Sequence, residues 1–137
     1  MSPSNTSLRV YYEDTDAAGI VYYANYLRFL ERGRTELLRT IGHDQNVLIQ
    51  EGIAFAVRSV SAEFLRPARL DDMLTVETSI ASMSRVQVTF AQRILRDKDL
   101  LLDAKIRVAC IDPILGKPIR MPRTIHEQLS ALPGPLQ

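Results

Sequence analysis

The chain has 137 residues, of which 46% are hydrophobic and 24% are charged, and its formal net charge is +1. This length and composition favour a single domain over residues 1–137. The nearly neutral charge gives no bulk attraction to nucleic acid or to an anionic membrane. Residues 1–7 are expected to form a short polar tail, without the apolar segment of a signal peptide. No apolar run is long enough for a stable membrane insertion, so a cytoplasmic protein is expected.

Cysteine and histidine are too scarce to suggest a metal site. The single cysteine, Cys110, excludes an internal disulfide and a cysteine-rich zinc site. It lies in an apolar strand pattern, which favours a buried small hydrophobe over a reactive thiol. His43 and His126 lack ligand partners at suitable spacing.

The first structural signal is a strand followed by an acidic turn. Residues 8–13 alternate between apolar and polar side chains, which predicts a half-buried strand that ends near Glu13. Residues 14–19 are small and polar and favour a turn, in which Gly19 can adopt a positive φ. The carboxylates of Asp14 and Asp16 are therefore expected on a loop.

A long amphipathic helix is predicted next. Apolar residues recur at three- and four-residue steps from Tyr26 to Ile41, with Asn25 as the predicted N-cap and Gly42 as the stop. The first turn of such a helix carries unpaired N–H groups and partial positive charge. A carboxylate on the preceding loop could therefore attack or activate water against a carbonyl while the N–H groups stabilise the oxyanion.

Four more strands and a short helix complete the pattern. The strands are predicted at residues 55–65, 74–80, 86–90 and 102–110. Residues 43–52 are interpreted as a connector or an irregular helix end, and Thr124 with Glu127 forms a capping signature for a final helix. The short connections favour antiparallel neighbours. The order predicts an α+β fold in which one five-stranded antiparallel sheet wraps around one long central helix, with uncovered edges that favour self-association.

Several short motifs within residues 7–128 occur together. The more specific ones lie near the start of the chain: Tyr12-Glu13-Asp14-Thr15-Asp16, Gly19, Val21-Tyr22, Asn25-Tyr26, Glu31-Arg32 and Arg34-x-Glu36. The weaker ones follow: Phe64-x-Arg66-Pro67-Ala68, Asp71-Asp72, Thr89-Phe90-x-Gln92 and Gly116-Lys117-Pro118. This combination resembles the 4-hydroxybenzoyl-CoA thioesterase family, and within it the bacterial acyl-CoA thioesterases associated with the Tol–Pal system.

The resemblance implies a hotdog fold and hydrolysis of acyl-CoA thioesters to the acid and free CoA, without a metal or redox cofactor. It assigns Asp16 as nucleophile or general base and the backbone N–H of Tyr23 as oxyanion donor. The subgroup usually has histidine where this chain has Tyr23. Asp14 is interpreted as structural, and Glu31 as a member of a salt bridge in preference to the catalytic helix carboxylate of some related enzymes.

The same resemblance places Arg85, Lys117 and Arg120 near the CoA nucleotide, with solvated surface charge as the alternative for each. It implies a homodimer or homotetramer, and residues 55–57 beside the pantetheine arm or in the core. The competing function is a non-catalytic module that binds acyl-CoA or acyl carrier protein. A hotdog dehydratase is disfavoured because the long helix carries no matching histidine motif. The acyl preference is not predicted.

Overall fold

The structure is a computed structural model that describes residues 4–135. Its elements, in chain order, are β1 (Ser4–Arg9), α1 (Tyr26–Thr40), α2 (Gln45–Gln50), β2 (Ala54–Phe64), β3 (Met73–Met83), β4 (Gln87–Arg96), β5 (Asp99–Ile111) and α3 (Arg123–Ser130). The five strands form one sheet in the order β1-β3-β4-β5-β2, and all neighbours are antiparallel. The predicted α+β fold, with a five-stranded antiparallel sheet and one long helix, is confirmed.

Helix α1 packs its apolar side against the sheet. Phe29 and Leu30 are fully buried, and Leu37 follows on the same side of the helix two turns later. The sheet contributes alternate side chains, such as Leu102 and Ile106 of β5, to the same core. This single apolar core fixes the position of α1 relative to the strands.

Helix α1 lies close to the sheet at Gly33. A Cβ atom on this residue would lie 2.6 Å from Thr78 Oγ1, so only glycine fits. Beside it, the fully buried Gln92 donates from Nε2 to the Leu30 carbonyl and to Thr78 Oγ1, both at 2.9 Å. Arg34 Nη1 donates to Gln92 Oε1 at 3.0 Å. A polar link therefore joins the middle of the helix to the middle of the sheet.

Strand β1 ends earlier than its sequence pattern predicts. It stops at Arg9, and Tyr12–Asp14 form a 3-10 turn, so the predicted end near Glu13 is wrong. The pattern misleads because Val10 is buried and exchanges backbone hydrogen bonds with the loop before β3, although it lies outside the regular strand. Asp71 in that loop has a φ of 70°, so the backbone turns there and does not continue as a regular strand beside β1.

The expected polar tail is also partly structured. Residues 4–7 belong to β1 and pair with β3, from Ser4 opposite Thr78 to Ser7 opposite Thr75. The prediction of a tail is therefore wrong from residue 4 onward, while residues 1–3 lie outside the described part of the chain. Polar side chains suit this edge strand because one of its faces meets solvent.

The bounds of α1 agree with the sequence pattern, but its cap does not. Asn25 has helical dihedral angles (φ −71°, ψ −22°) and makes no side-chain cap, because it ends a 3-10 turn at Tyr23–Asn25 that leads into the helix. The predicted Asn25 cap is therefore wrong. Gly42, with a φ of 88°, follows the helix end as predicted.

The two short helices also differ from the sequence predictions. Residues 43–52 contain the regular helix α2, which Asp44 caps by accepting a hydrogen bond from the Asn46 N–H at 2.7 Å. Helix α3 begins directly after Pro122, so Thr124 lies inside it and the predicted Thr124 cap is wrong. Proline needs no N–H partner and has a fixed φ, which suits it to a helix start.

Strand β2 is an exposed edge strand. It pairs with β5 on one side, and no other strand among the described residues pairs with it. Its apolar side chains Val57 and Val60 remain 49% and 44% exposed. The alternation in its sequence predicts half-burial, but helix α1 covers the sheet only partly and leaves β2 open.

We expect Gly33→Ala to destabilise the protein. The added methyl group must displace Thr78 Oγ1 and its neighbours, which costs about 1 to 3 kcal/mol and exceeds the gain of about 1 kcal/mol in helix propensity. Urea unfolding of Gly33→Ala and of Arg32→Ala, an exposed position on the same helix, measures the difference. An alanine at position 33 that leaves the unfolding midpoint unchanged or raises it contradicts the close packing.

The thiol of Cys110 should be unreactive in the native protein. Cys110 is fully buried, and burial raises the pKa of its thiol. Because the folded pKa is raised, this contribution to stability is present below the unfolded pKa of about 8.5 and is lost as the pH rises above it. Iodoacetamide at pH 8 should therefore label the protein in denaturant and leave the native protein unlabelled. Equal labelling rates would contradict the burial.

Candidate active site

The acidic loop folds back on itself as a tight turn. The Asp16 N–H donates to the Ile20 carbonyl at 2.9 Å, and the Tyr22 N–H donates to the Asp14 carbonyl at 3.2 Å. Gly19 closes the turn with a φ of 76°, a conformation that disfavours other residues. The backbone therefore places Asp16 at the tip of the turn that leads into the helix.

The carboxylate of Asp16 is exposed and partly oriented. Its Oδ1 accepts a hydrogen bond from the Ala18 N–H at 2.8 Å. Within residues 4–135, Oδ2 has no hydrogen-bond partner, and the side chain faces solvent. One oxygen thus holds the rotamer while the other is available for chemistry.

Asp14, two residues earlier, has a structural role, as the sequence indicates. It is only 7% exposed. Its Oδ2 accepts from the Tyr11 N–H at 2.9 Å, and its Oδ1 accepts from Asn25 Nδ2 at 2.8 Å. Since both oxygens accept hydrogen bonds within the protein and the residue is buried, Asp14 ties the loop to the turn before α1.

Tyr23 begins the 3-10 turn that leads into α1. In the described part of the chain, its backbone N–H donates to no acceptor, as expected at the start of a helical segment. Its side chain is 65% exposed, and its ring lies 4.9 Å from the Tyr22 ring. The N–H of Tyr23 is therefore free at the positive end of the helix, a few residues along the chain from Asp16.

Ala68 anchors both the loop and the helix start. Its carbonyl accepts from the Val21 N–H at 2.8 Å, and its N–H donates to the Tyr26 hydroxyl at 2.9 Å. The hydroxyl of Tyr26 is desolvated, and this burial raises its pKa. The Leu70 N–H adds a bond to the Gly19 carbonyl at 3.1 Å. Sequence reasoning gave Ala68 no role beyond a motif match, because no local signal shows a bond across more than 40 residues.

A groove of about 300 Å³ lies between α1 and strand β2. The helical side of its lining contains both charged and apolar residues, and the strand side is apolar. The lining residues are Leu27, Arg28, Glu31, Arg34, Leu38, Gln45, Phe55, Val57, Val60, Phe90, Ile106 and Val108. Its volume is at the lower end of the range for small-molecule sites. Asp16 and Tyr23 are not part of this lining, but Leu27 belongs to the first turn of the helix that follows Tyr23.

Arg34 is the charged residue most withdrawn from solvent in this groove. It is half-buried, and burial lowers the pKa of its guanidinium, while the nearby Glu31 carboxylate acts in the opposite direction. Glu31 forms no salt bridge among the described residues, so the ion pair predicted for it is not seen in the single chain. Sequence reasoning treated Arg34 only as part of the Arg34-x-Glu36 motif and as a candidate salt-bridge partner of Glu31.

The three basic residues predicted near CoA lie in one region. The Arg85 Nη2 donates to the Met121 carbonyl at 2.8 Å, and the Met121 N–H donates to the Arg85 carbonyl at 2.7 Å. This pair brings Arg85 beside the segment that carries Lys117 and Arg120, which are both exposed. Arg85 Nε is buried without a partner in the described chain.

The described residues contain no helix long and apolar enough to cross a membrane. They also contain no group of three or more histidine, cysteine, aspartate or glutamate residues arranged to hold a metal ion.

Known proteins are similar to this chain in sequence and in fold. A model of the thioesterase-like superfamily matches residues 10–129. The acyl-CoA thioester hydrolase YbgC of Escherichia coli is 48% identical over 119 residues, which cover 86% of this chain and 89% of that protein. The acyl-CoA thioesterase YbgC of Haemophilus influenzae is 43% identical over 119 residues, 86% of this chain and 88% of that protein. A probable thioesterase from Bartonella henselae has a crystal structure with a TM-score of 0.82 and 39% identity, covering 86% and 98% of the two chains. The chain therefore belongs to the thioesterase-like superfamily, and its sheet with one long helix is the hotdog fold of those thioesterases.

Proposed function

We propose that this protein hydrolyses acyl-CoA thioesters to the carboxylic acid and free CoA. The names and the 48% identity of its relatives support this activity. The observation that carries it here is an exposed carboxylate, Asp16, on the turn directly before a helix start whose Tyr23 N–H is free. That pair supplies a base or nucleophile and an oxyanion donor.

Two routes are open to Asp16. As a nucleophile, its Oδ2 attacks the thioester carbonyl, CoA leaves as the thiolate, and water hydrolyses the resulting mixed anhydride. As a general base, it accepts a proton from the water that attacks the carbonyl and returns a proton to the leaving thiolate. Both routes form a tetrahedral intermediate with negative charge on the former carbonyl oxygen.

The Tyr23 N–H would stabilise that negative charge. It lies at the start of the helical segment, where the helix dipole adds partial positive charge. Loss of one oxyanion donor typically costs about 3 to 4 kcal/mol in the transition state. Because the donor is a main-chain group, tyrosine can replace the histidine of related sequences without loss of this contribution.

For the CoA moiety, we propose phosphate contacts from Lys117 and Arg120. Both are exposed cations on the segment between β5 and α3. Arg85 supports this segment through its bonds to Met121 and can contribute further N–H donors to the same anion. This region has no glycine-rich phosphate loop, so recognition would depend on side chains.

A second copy of the chain would complete the site. Strand β2 has an unpaired edge, and its exposed apolar residues Val57 and Val60 line the groove beside α1. Pairing of β2 with its counterpart in a second copy would cover this edge and enclose the groove on its open side. We therefore propose a homodimer, which can pair further into a tetramer.

The first test compares Asp16→Asn with Glu13→Gln, a neutral replacement at an exposed acid of the same loop. We expect Asp16→Asn to lower kcat by about 100-fold or more, because it removes the base or nucleophile. Glu13→Gln should retain activity. CoA release is measured with acetyl, butyryl, hexanoyl, benzoyl, 4-hydroxybenzoyl and palmitoyl thioesters.

Three results would contradict the proposal. Full activity in Asp16→Asn would exclude its catalytic role. If wild type binds these thioesters but hydrolyses none, the protein is a binding module. If it hydrolyses thioesters of acyl carrier protein in preference to CoA thioesters, the proposed carrier is wrong.

The second test concerns the dimer. Sedimentation equilibrium of wild type should give twice or four times the mass of one chain. We expect Val60→Glu to weaken association by about tenfold or more, because it places an unpaired charge in an apolar contact. Ser61→Glu, on the opposite face of β2, is the control. A monomeric wild type, or equal effects of the two variants, would count against this interface.

A further inference from the structure

The Arg34 side chain is positioned by a hydrogen bond to a buried amide. The two donor hydrogens of Gln92 are used by the Leu30 carbonyl and by Thr78 Oγ1, so Oε1 must face the Arg34 guanidinium. Because Gln92 is fully buried, its amide cannot reorient toward water. The Arg34 guanidinium therefore donates to a well-positioned acceptor, Gln92 Oε1, which carries no charge.

The positive charge of Arg34 has no ionic partner within the described chain. The four salt bridges there involve other residues. Glu31 lies one turn away and lines the same groove, but its side chain is exposed, whereas Arg34 is half-buried. Burial lowers the pKa of Arg34, which reflects the cost of holding an unpaired cation away from water.

The groove lies along α1 and contains this cation. Its lining includes Leu27, four residues after Tyr23, buried apolar side chains such as Phe90 and Ile106, and Arg34 two turns after Leu27. The eleven residues from Tyr23 to Arg34 span about 16 Å along the helix axis. Helical side chains lean toward the N-terminus, so the Arg34 side chain covers part of this distance. An acyl group whose carbonyl lies near the Tyr23 N–H and whose chain follows the groove would therefore end close to Arg34.

The charges of the groove favour an anion at that end. Its lining contains Arg28, Arg34 and Glu31, which sum to one positive charge. A guanidinium binds a carboxylate through two parallel hydrogen bonds, and Arg34 has spent only one N–H on Gln92. The apolar floor between the two ends suits a chain of methylene groups.

We propose that Arg34 is a specificity-determining residue that binds a carboxylate at the distal end of the acyl group. The preferred substrates are then CoA thioesters of dicarboxylic acids of intermediate length. This inference rests on the proposed thioesterase function and adds the substrate class to it. A carboxylate of a second copy is the competing partner for Arg34. The experiment distinguishes that contact from binding of a substrate carboxylate.

The experiment compares adipoyl-CoA with hexanoyl-CoA, which differ by a terminal carboxylate in place of a methyl group. The kcat/KM ratio of the two is measured for wild type, Arg34→Met, Arg34→Lys and Arg32→Met. Arg32 lies on the same helix outside the groove lining and is the matched control. Sedimentation of each variant reports its oligomeric state.

We expect wild type to prefer adipoyl-CoA and Arg34→Met to lower the adipoyl/hexanoyl ratio by about tenfold to a hundredfold, the range for a lost hydrogen bond to a charged group. Arg34→Lys should restore part of the ratio, and Arg32→Met should leave it unchanged. A ratio that Arg34→Met does not alter overturns the inference, while hydrolysis of hexanoyl-CoA preserves the proposed function. Equal loss on both substrates with a changed oligomeric state assigns Arg34 to the subunit interface and also overturns it. Absence of hydrolysis with every thioester tested removes both proposals.

Discussion

The structure depends on how closely α1 sits on the sheet at Gly33. The missing side chain allows Gln92 of β4 to donate both to the helix backbone and to Thr78 of the neighbouring strand β3. The helix therefore cannot slide along the sheet without breaking these bonds. This one contact fixes both ends of the proposed site. It holds in place the helix start that follows the Tyr23 N–H and the Arg34 residue, which lies about three turns further along.

Much of the fold could be predicted because it follows from local periodicity. Helix α1 repeats its apolar residues at helical spacing, and β3, β4 and β5 alternate over buried faces. The errors have a common cause. Val10 continues the alternation of β1 but is buried by the loop before β3, and Thr124 resembles a cap although Pro122 starts the helix. The strand order depends on contacts distant in sequence, which no local pattern shows.

The candidate site also has one part that local sequence predicts and one part that it does not. Asp16 and the helix start are adjacent in the chain, so their association could be predicted from a turn followed by a helix. Arg34 could not be identified in this way, because its position depends on Gln92, 58 residues later, and on the uncovered strand β2. The sequence shows Arg34 only as one of several charged residues on an amphipathic helix. Burial and an absent ionic partner are properties of the folded chain.

Main-chain atoms of Ala68, Leu70, Ile20 and Gly19 make many of the bonds that hold the acidic loop, and the Asp14 carboxylate adds two side-chain bonds. Main-chain bonds persist when side chains are exchanged, provided that backbone conformations are preserved. Evolution can therefore alter the groove lining, where we propose that the acyl group binds, without disturbing the Asp16 carboxylate. The same separation makes the groove a practical target for redesign, because substitutions at Leu27 can be screened for new substrates while the bonds of the acidic loop stay unchanged.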